Sequence, residues 1–501
     1  MNKHQRMVLD HLMGPTGSVI FHIVLVFLLV KFLVFEVMRP SHEVEAKIME
    51  IEEVDLDEFD KELDELPDLP EVEEAVVPEM ETPPEVEEIS QEEDLSRLDV
   101  LNTASPLVMR GLYSGRLSAR SRRKLLDKYA GNIGELTEKA VMKALRWLKK
   151  VQKGDGSWAA KGQDKYTPGI TGLGLLTFLA HGETTASEEF GRTVEKAMRY
   201  LMNVQHESGA FFDPSAKNPP PAPGKKPSKW GPNMYAPYWH AMATYAVAEA
   251  YGLMRVPELK PVVEKAVKVI VDGQQPRGGW NYNYTTEARR DTSIAGWQIQ
   301  ALKAASIGGS EIEGLSEAMA RAVKDLLMHQ SSSDGMFYYQ SAENDRGRNL
   351  SNDRLRCNTG IAVLCLQLLG QGMSQETKKG LSSLRTSSCT WTGSNESWWP
   401  LYGWYYITQA KFHAGGAQWS SWNNKFAKIL TSNQEPDGHW DAPSSGSDPG
   451  REDRFGPVYC TTFAALTLQV YYRFLPTYQA KAVQVQDVTA EMADDDVVID
   501  F

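Results

Sequence analysis

The sequence predicts an all-α domain in which six helical hairpins close into a ring over residues 135–478. Two observations favour this fold class. A segment that ends in a glutamine, a glycine turn and an aromatic residue recurs at intervals of roughly 50 to 70 residues. Between its copies, amphipathic helices alternate with helices that are apolar on nearly every side.

The repeat is clearest in the segment AVMKALRWLKKVQKGDGSW at 140–158, which returns with substitutions at 193–211, 262–280, 318–337 and 422–440. Its glutamine and aromatic positions are Gln152 and Trp158, Gln205 and Phe211, Gln274 and Trp280, Gln330 and Phe337, and Gln434 and Trp440. The last interval is about twice the others, so we expect a unit with a degenerate turn between 375 and 412. We assign the glutamines to backbone bonds at helix ends and the aromatics to packing against the neighbouring unit.

Each unit pairs two kinds of helix. In the first unit Val141, Leu145 and Leu148 form an apolar stripe, which is typical of a helix with one buried face. The helices that follow the turns, such as TGLGLLTFLAHG at 171–182 and CTTFAALTLQVYY at 460–472, are apolar nearly all round and belong inside. Amphipathic outer helices around apolar inner ones make a double-walled ring, an (α/α)6 toroid.

Several segments flank the ring. We divide them into an N-terminus (1–16), a hydrophobic span (17–38), an acidic linker with prolines (39–95), a basic lead-in (96–134) and an acidic tail (479–501). The span is long enough to cross a bilayer as one transmembrane helix. The linker has 24 acidic and two basic residues between Glu43 and Asp94, with few groups that could form a core, so we expect it to be disordered.

Basic residues in the first segment suggest an orientation. Lys3 and Arg6 precede the span and acidic residues follow it, which favours a cytoplasmic N-terminus. We therefore expect a single-pass inner-membrane protein whose toroid is periplasmic, or more generally extracytoplasmic.

Two polar residues lie inside the span, Ser18 and His22, spaced to share one helix face. The pattern resembles the Ser-x-x-x-His transmembrane helix of TonB-type energy transducers. That resemblance implies two partners, the lipid bilayer through 17–38 and a proton-channel complex of the ExbB/ExbD kind. The alternative is an anchor that tolerates an interfacial histidine.

The Gln-x-x-x-Gly-x-Trp turns resemble the QW repeats of squalene–hopene cyclases and of the related protein prenyltransferase β-subunits. The resemblance implies the (α/α)6 toroid and a ligand in its central cavity. Class II cyclases protonate an alkene with an Asp-x-Asp-Asp motif followed by Thr, and the matching stretch here keeps Asp291 and Thr292 but has Arg290 at the proton-donating position. The Asp-x-Cys pair of the prenyltransferase zinc site is not reproduced, so we expect no metal and no cofactor.

The candidate site lies where the inner helices begin. Asp291 is the candidate catalytic acid, and the candidate ligand-binding residues are Arg290, Thr292, Trp297, His240, Arg356, Asn358, Tyr459 and Trp399. We expect inner helices three, four and six to begin at Asp291-Thr292, Asn358-Thr359 and Thr461-Thr462, where these side chains would act as helix caps or would ring the cavity. The tryptophans and His240 are equally compatible with core packing.

Three functions fit these features. The first is a membrane-anchored extracytoplasmic binding or scaffold module that takes an isoprenoid, polysaccharide or protein ligand and no nucleic acid. The alternatives are a terpene-cyclase-like enzyme with altered acid chemistry and a carbohydrate-active toroid. A deep apolar lumen near Asp291 would favour the enzyme or an isoprenoid ligand, an open basic groove would favour a sugar, and a ring plugged by tryptophan side chains would favour a scaffold.

Overall fold

The computed structural model describes residues 113–473 with gaps at 114, 163, 216–232, 286–289, 311, 341–351, 393–398 and 445–450. These residues belong to the unit Val86–Phe501. The predicted N-terminus, span with Ser18 and His22, linker and tail lie outside the described residues. None of the described helices combines the length and the hydropathy that a bilayer crossing requires.

The described chain is helical, and an isolated β-bridge joins Gln330 and Phe337. The helices are α1 (Ala119–Tyr129), α2 (Gly134–Val151), α3 (Thr167–His181), α4 (Gly191–Val204), α5 (Ala236–Met254), α6 (Leu259–Asp272), α7 (Thr292–Ile307), α8 (Leu315–Met328), α9 (Asn352–Leu368), α10 (Gln375–Ser383), α11 (Pro400–Ala414), α12 (Gly416–Ser432), α13 (Pro457–Leu468) and α14 (Val470–Arg473). Short 3₁₀ helices occupy Gly131–Ile133, Asp164–Tyr166, Tyr282–Tyr284, Leu384–Thr386 and Arg451–Phe455.

Helix contacts close the domain into a ring. Around the inside, α3 packs on α5, α5 on α7, α7 on α9, α9 on α11 and α11 on α13, and α13 returns to α3. The amphipathic helices α2, α4, α6, α8, α10 and α12 pack on the outside of these six. The prediction of an all-helical α/α toroid is therefore confirmed for the described chain. The inner helices are buried on nearly all sides, which explains their continuous apolar composition.

The repeated glutamines join each hairpin to the next. Gln152 donates two hydrogen bonds from Nε2, one to Gly156 O in its own turn and one to Thr193 O in the next outer helix, both at 3.0 Å. Gln205, Gln274 and Gln330 make the same pair of bonds. Gln434 donates to Gly438 O at 2.9 Å and to Ala140 O of α2 at 2.8 Å, so the last unit is joined to the first.

The tryptophans of three turns are hydrogen-bonded to their own unit. The indole N–H groups of Trp158, Trp280 and Trp440 each donate at 2.8 Å to a carbonyl of the preceding outer helix. All three side chains are buried. Each indole therefore ties the end of the turn to the outer helix that leads into it, and satisfies a carbonyl near the end of that helix.

Two predicted helix starts are wrong. The third inner helix, α7, does begin at Thr292 with Asp291 as its N-cap. The fourth and sixth begin earlier than predicted, at Asn352 and Pro457. The threonines expected as caps therefore lie inside these helices. Thr359 Oγ1 accepts a hydrogen bond from Phe337 N at 2.9 Å, and Thr461 Oγ1 accepts one from Trp440 N at 3.0 Å. Their hydroxyls hold the aromatic turn and do not cap a helix.

The basic lead-in docks on the ring through a buried histidine at the end of α3. His181 Nε2 lies 3.0 Å from Glu138 Oε1 and Nδ1 lies 2.7 Å from Glu183 Oε1. Arg122 of α1 donates to the same Glu138 oxygen at 3.2 Å. Burial alone would lower the pKa of His181, but the hydrogen bonds to the two carboxylates outweigh it and raise the pKa.

We expect His181→Gln to destabilise the protein most at low pH. The folded-state pKa of His181 lies above its ordinary value of 6.5, so its stabilising contribution is complete below pH 6.5 and is lost as the pH rises through the raised pKa. The variant should lose about 2 kcal/mol of unfolding free energy at pH 6 and clearly less at pH 9, measured by chemical denaturation. His206→Gln, whose ring bonds only a serine at the surface, is the control. An equal loss for His181→Gln at both pH values would contradict this account.

Candidate functional site

The inner helices all begin at one end of the ring, because an outer helix returns the chain between consecutive inner helices. We call this end the mouth. Next to Asp291 it carries a group of hydroxyl-bearing side chains, the mouth cluster, made of Tyr238, Tyr282, Ser293, Tyr339 and Tyr402. Tyr238, Ser293 and Tyr339 remain partly exposed, so this cluster meets solvent.

Asp291 is the N-cap of α7. Its Oδ1 accepts hydrogen bonds from Ser293 N at 2.9 Å and Ile294 N at 3.2 Å, and from the Ser293 hydroxyl at 2.7 Å. The residue is 1% exposed. These contacts satisfy two of the free backbone N–H groups at the start of α7, as an N-capping aspartate usually does.

The hydroxyls of the mouth cluster bond one another. Tyr238 OH lies 2.5 Å from Ser293 Oγ, and Tyr402 OH donates to Ser293 O at 3.3 Å. The Tyr282 and Tyr339 hydroxyls form a short hydrogen bond. Burial and the neighbouring Asp291 carboxylate raise the pKa of Tyr238 and of Tyr339, so these phenols remain protonated at physiological pH. The surface they present is uncharged and rich in hydrogen-bonding groups.

Beneath the mouth, aromatic side chains fill the lumen. We call Trp297, Tyr405, Tyr406 and Phe463 the plug. Trp297 of α7 and Phe463 of α13 come from inner helices on opposite sides of the ring, yet their ring centroids are 6.0 Å apart. Trp297 also stacks on Tyr405 with centroids 5.7 Å apart and an interplanar angle of 10°. All four side chains are fully buried, so the lumen is closed at this level.

The plug is hydrogen-bonded as well as packed. Tyr405 OH donates to Gln300 Oε1 at 2.9 Å, and Gln300 Nε2 donates to Tyr406 OH at 3.1 Å. A buried phenol without a partner would be costly, and the buried Gln300 amide provides one for each of these two. The two phenols of the plug are therefore satisfied within the core.

A row of contacting aromatic rings runs from the mouth to the plug. Trp399 stacks on Phe455 with centroids 5.8 Å apart, Phe455 contacts Tyr459 at 4.9 Å, and Tyr459 contacts Phe463 at 4.6 Å. Arg454 lies 4.7 Å above the Trp399 ring. Of the sequence-predicted ligand residues, Trp399, Tyr459 and Trp297 thus lie along this row, and Trp399 is the one that is partly exposed.

Arg290 and Thr292 contact the outer layer of the ring instead. Arg290 Nη1 lies 3.0 Å from Asp325 Oδ1 of α8, and both side chains are buried. Burial raises the pKa of Asp325 to about 7, against the opposing charge of Arg290. Thr292 Oγ1 lies 2.6 Å from His329 Nδ1 and donates to Tyr338 O at 2.7 Å. Neither residue takes part in the mouth cluster.

His240 has a structural position in the second unit. Its Nδ1 accepts from Phe211 N at 3.1 Å, as the threonines do in other units, and Nε2 donates to Ala266 O at 3.0 Å. Burial lowers its pKa to about 4, so the ring is neutral. Arg356 donates from Nη2 to Thr386 Oγ1 at 3.1 Å, and Asn358 is buried.

The structure also brings to the mouth residues that sequence reasoning missed. Besides the tyrosines, Glu452 is fully buried and accepts from Leu401 N at 3.2 Å and Tyr402 N at 3.0 Å at the start of α11. Burial raises its pKa to about 8, although these N–H groups act in the opposite direction. Tyr282 and Tyr284 were visible in the sequence as a local concentration of tyrosine, whereas Glu452 lies in a short 3₁₀ helix that carries no recognisable motif. In the described chain, no three His, Cys, Asp or Glu side chains are grouped as metal ligands.

Comparison with known proteins shows fold neighbours at low identity. No family model and no curated relative matches the sequence. An α-1,6-mannanase of Salegentibacter sp. HEL1_6 is 11% identical, with a TM-score of 0.47 over 67% of this chain and 98% of its own. Cellobiose 2-epimerase of Bacillus thermoamylovorans is 12% identical, with a TM-score of 0.45 over 67% and 98%. A type II terpene cyclase of Scytonema is 12% identical, with a TM-score of 0.41 over 67% and 96%.

Proposed function

We propose that the toroid is a binding module whose ligand lies at the mouth, and that its lumen does not enclose a reacting substrate. The main support for this proposal is the plug, which closes the lumen. A cyclase must surround a long isoprenoid chain beside its acid, but here Trp297 and Phe463 meet across the lumen below Asp291. Opening that space would break the stacking and the hydrogen bonds that involve Gln300.

The residues at the acid position support the same proposal. Asp291 Oδ1 is occupied by three hydrogen bonds that cap α7. Arg290, which stands where cyclases carry their proton donor, is ion-paired with Asp325 and remains protonated near pH 7. We therefore assign Asp291 to stabilising α7 and shaping the mouth.

We expect neither the wild-type chain nor Asp291→Asn to convert squalene or geranylgeranyl diphosphate to a cyclic product, assayed by mass spectrometry of organic extracts. Asparagine retains the capping oxygen, so the free energy of unfolding of Asp291→Asn should lie within a few tenths of a kcal/mol of the wild-type value. Asp291→Ala, which has no capping oxygen, should lose about 1 kcal/mol of this free energy. A cyclic product that the wild-type chain makes and Asp291→Asn does not would overturn the proposal.

A second candidate, carbohydrate binding, is favoured by the composition of the mouth. Partly exposed rings of Tyr235, Tyr238 and Trp399 stand beside tyrosine hydroxyls, an arrangement that offers apolar faces and hydrogen bonds together. Lys165 over Tyr166 and Arg454 over Trp399 add positive charge at the rim. A glycan with acidic groups would match both features.

Trp399→Ala should weaken binding of acidic oligosaccharides about tenfold, because it removes a partly exposed aromatic side chain at the mouth whose contact is worth about 1 kcal/mol or slightly more. Binding is measured by titration calorimetry after a glycan-array screen. Trp391→Ala is the matched control, since Trp391 is also partly buried but packs on Trp404. An equal loss of affinity in both variants, or a glycan array on which the protein binds no oligosaccharide, would contradict glycan binding at the mouth.

We further propose that residues 17–38 anchor the toroid on the outer side of an inner membrane and contact a proton-channel complex through Ser18 and His22. In a helix, Val26 would share their face and Val24 would not. A photo-crosslinking side chain at position 26 should capture a membrane protein in cells, and the same group at position 24 should not. Capture from both positions, or from neither, would contradict a specific partner.

A further inference from the structure

At the end of the ring opposite the mouth, the inner helices end around a group of buried charges. We call this group the basal cluster and define it as Arg116, Glu249, Lys303 and Arg473. Each of the three cations is at most 2% exposed, and Glu249 is 7% exposed. Arg116 and Glu249 balance each other, so Lys303 is a buried cation of this cluster to which no described carboxylate is bonded. Buried charge without compensation is unfavourable, so the Lys303 charge requires an explanation.

The carboxylate of the cluster is already engaged. Arg116, from the lead-in, donates from Nη1 to Glu249 Oε2 at 3.0 Å and to Leu179 O at 3.2 Å. Arg473 reaches in from α14, where Nη2 donates to Tyr245 OH at 3.2 Å and the guanidinium lies over the Tyr245 ring. The lead-in and the last described helix thus each insert an arginine into this end of the lumen.

Lys303 of α7 differs from the two arginines. Among the residues described, none forms a hydrogen bond or an ion pair with its ammonium group, and burial lowers its pKa to about 8. Lys303 lines a cavity of about 20 Å³ together with Tyr113, Tyr245, Glu249 and Gln300. This volume has room for one species of about the size of a water molecule.

We propose that this cavity binds a small monovalent anion of the size of chloride, held by the Lys303 ammonium and by the hydroxyls of Tyr113 and Tyr245. The buried Lys303 ammonium requires a negative partner, and a volume of about 20 Å³ favours a small ion. Tyr245 OH accepts its hydrogen bond from Arg473, so its own proton is available to the anion. Glu249 does not prevent anion binding, because Arg116 neutralises it.

The anion would also hold the lead-in to the ring. Tyr113 precedes the first long helix and packs against Ile307 and Leu253 at the ends of α7 and α5. An anion between Lys303 and Tyr113 would connect these parts and stabilise the folded state in proportion to its occupancy. This inference is independent of any ligand at the mouth.

Thermal unfolding of the full chain in sodium chloride and in sodium gluconate, at equal ionic strength, tests the site. Gluconate is too large for the cavity. At a chloride concentration about tenfold above Kd, Tm should be about 2 °C higher in chloride. Lys303→Met should show no difference between the salts. Lys411→Met is the matched control, since Lys411 is equally buried on inner helix α11 with its pKa also lowered to about 8, but lies over Trp422. It should retain the chloride effect.

Crystals of the wild-type protein soaked in bromide give a test that does not depend on the variants folding. An anomalous peak beside Lys303 Nζ supports the proposal. An equal Tm in both salts, a chloride effect that persists in Lys303→Met, or no bromide peak would mean that water fills the cavity, and each of these results would overturn it.

Discussion

Each repeated glutamine bonds two carbonyls, one in its own turn and one in the next outer helix, and the alignment of neighbouring hairpins depends on this pair of bonds. Because one amide group serves both carbonyls, the turn of one unit and the helix of the next are held at a constant spacing. The turn must also approach that helix closely. Gly156 has φ of 93°, and a Cβ there would lie 2.3 Å from Lys196 O. Gln434 applies the same geometry between the last unit and the first, which closes the ring.

A closed ring of six helices encloses a space that either a ligand or side chains must fill. Here side chains fill it, since Trp297 and Phe463 reach each other from opposite sides. The phenols brought into the lumen need partners, and Gln300 meets that need for Tyr405 and Tyr406. Filling the lumen leaves the two ends of the ring available for recognition. They differ in chemistry, because the mouth is lined by neutral hydroxyls and the base by buried charge.

The described part of the lead-in packs on the ring as part of the folded domain. Arg122 shares Glu138 with His181, and Arg116 enters the base of the ring to meet Glu249. A Cβ on Gly182 would lie 1.9 Å from Arg116 O, so the backbones themselves are in close contact.

The sequence by itself determined the repeat, the alternation of outer and inner helices, and the start of α7 at Asp291, because each depends on local periodicity or on a capping residue. Only the tertiary structure decided what the side chains at the helix starts do. Thr461 and His240 hold aromatic turns, Arg290 pairs with α8, and Trp297 meets a helix from across the ring. The contacts of Thr461, His240 and Arg290 form when neighbouring helices pack together, whereas Trp297 and Phe463 meet only because the ring closes. Helical periodicity indicates which face of a helix is buried but not which residue that face contacts, so sequence spacing did not predict these contacts.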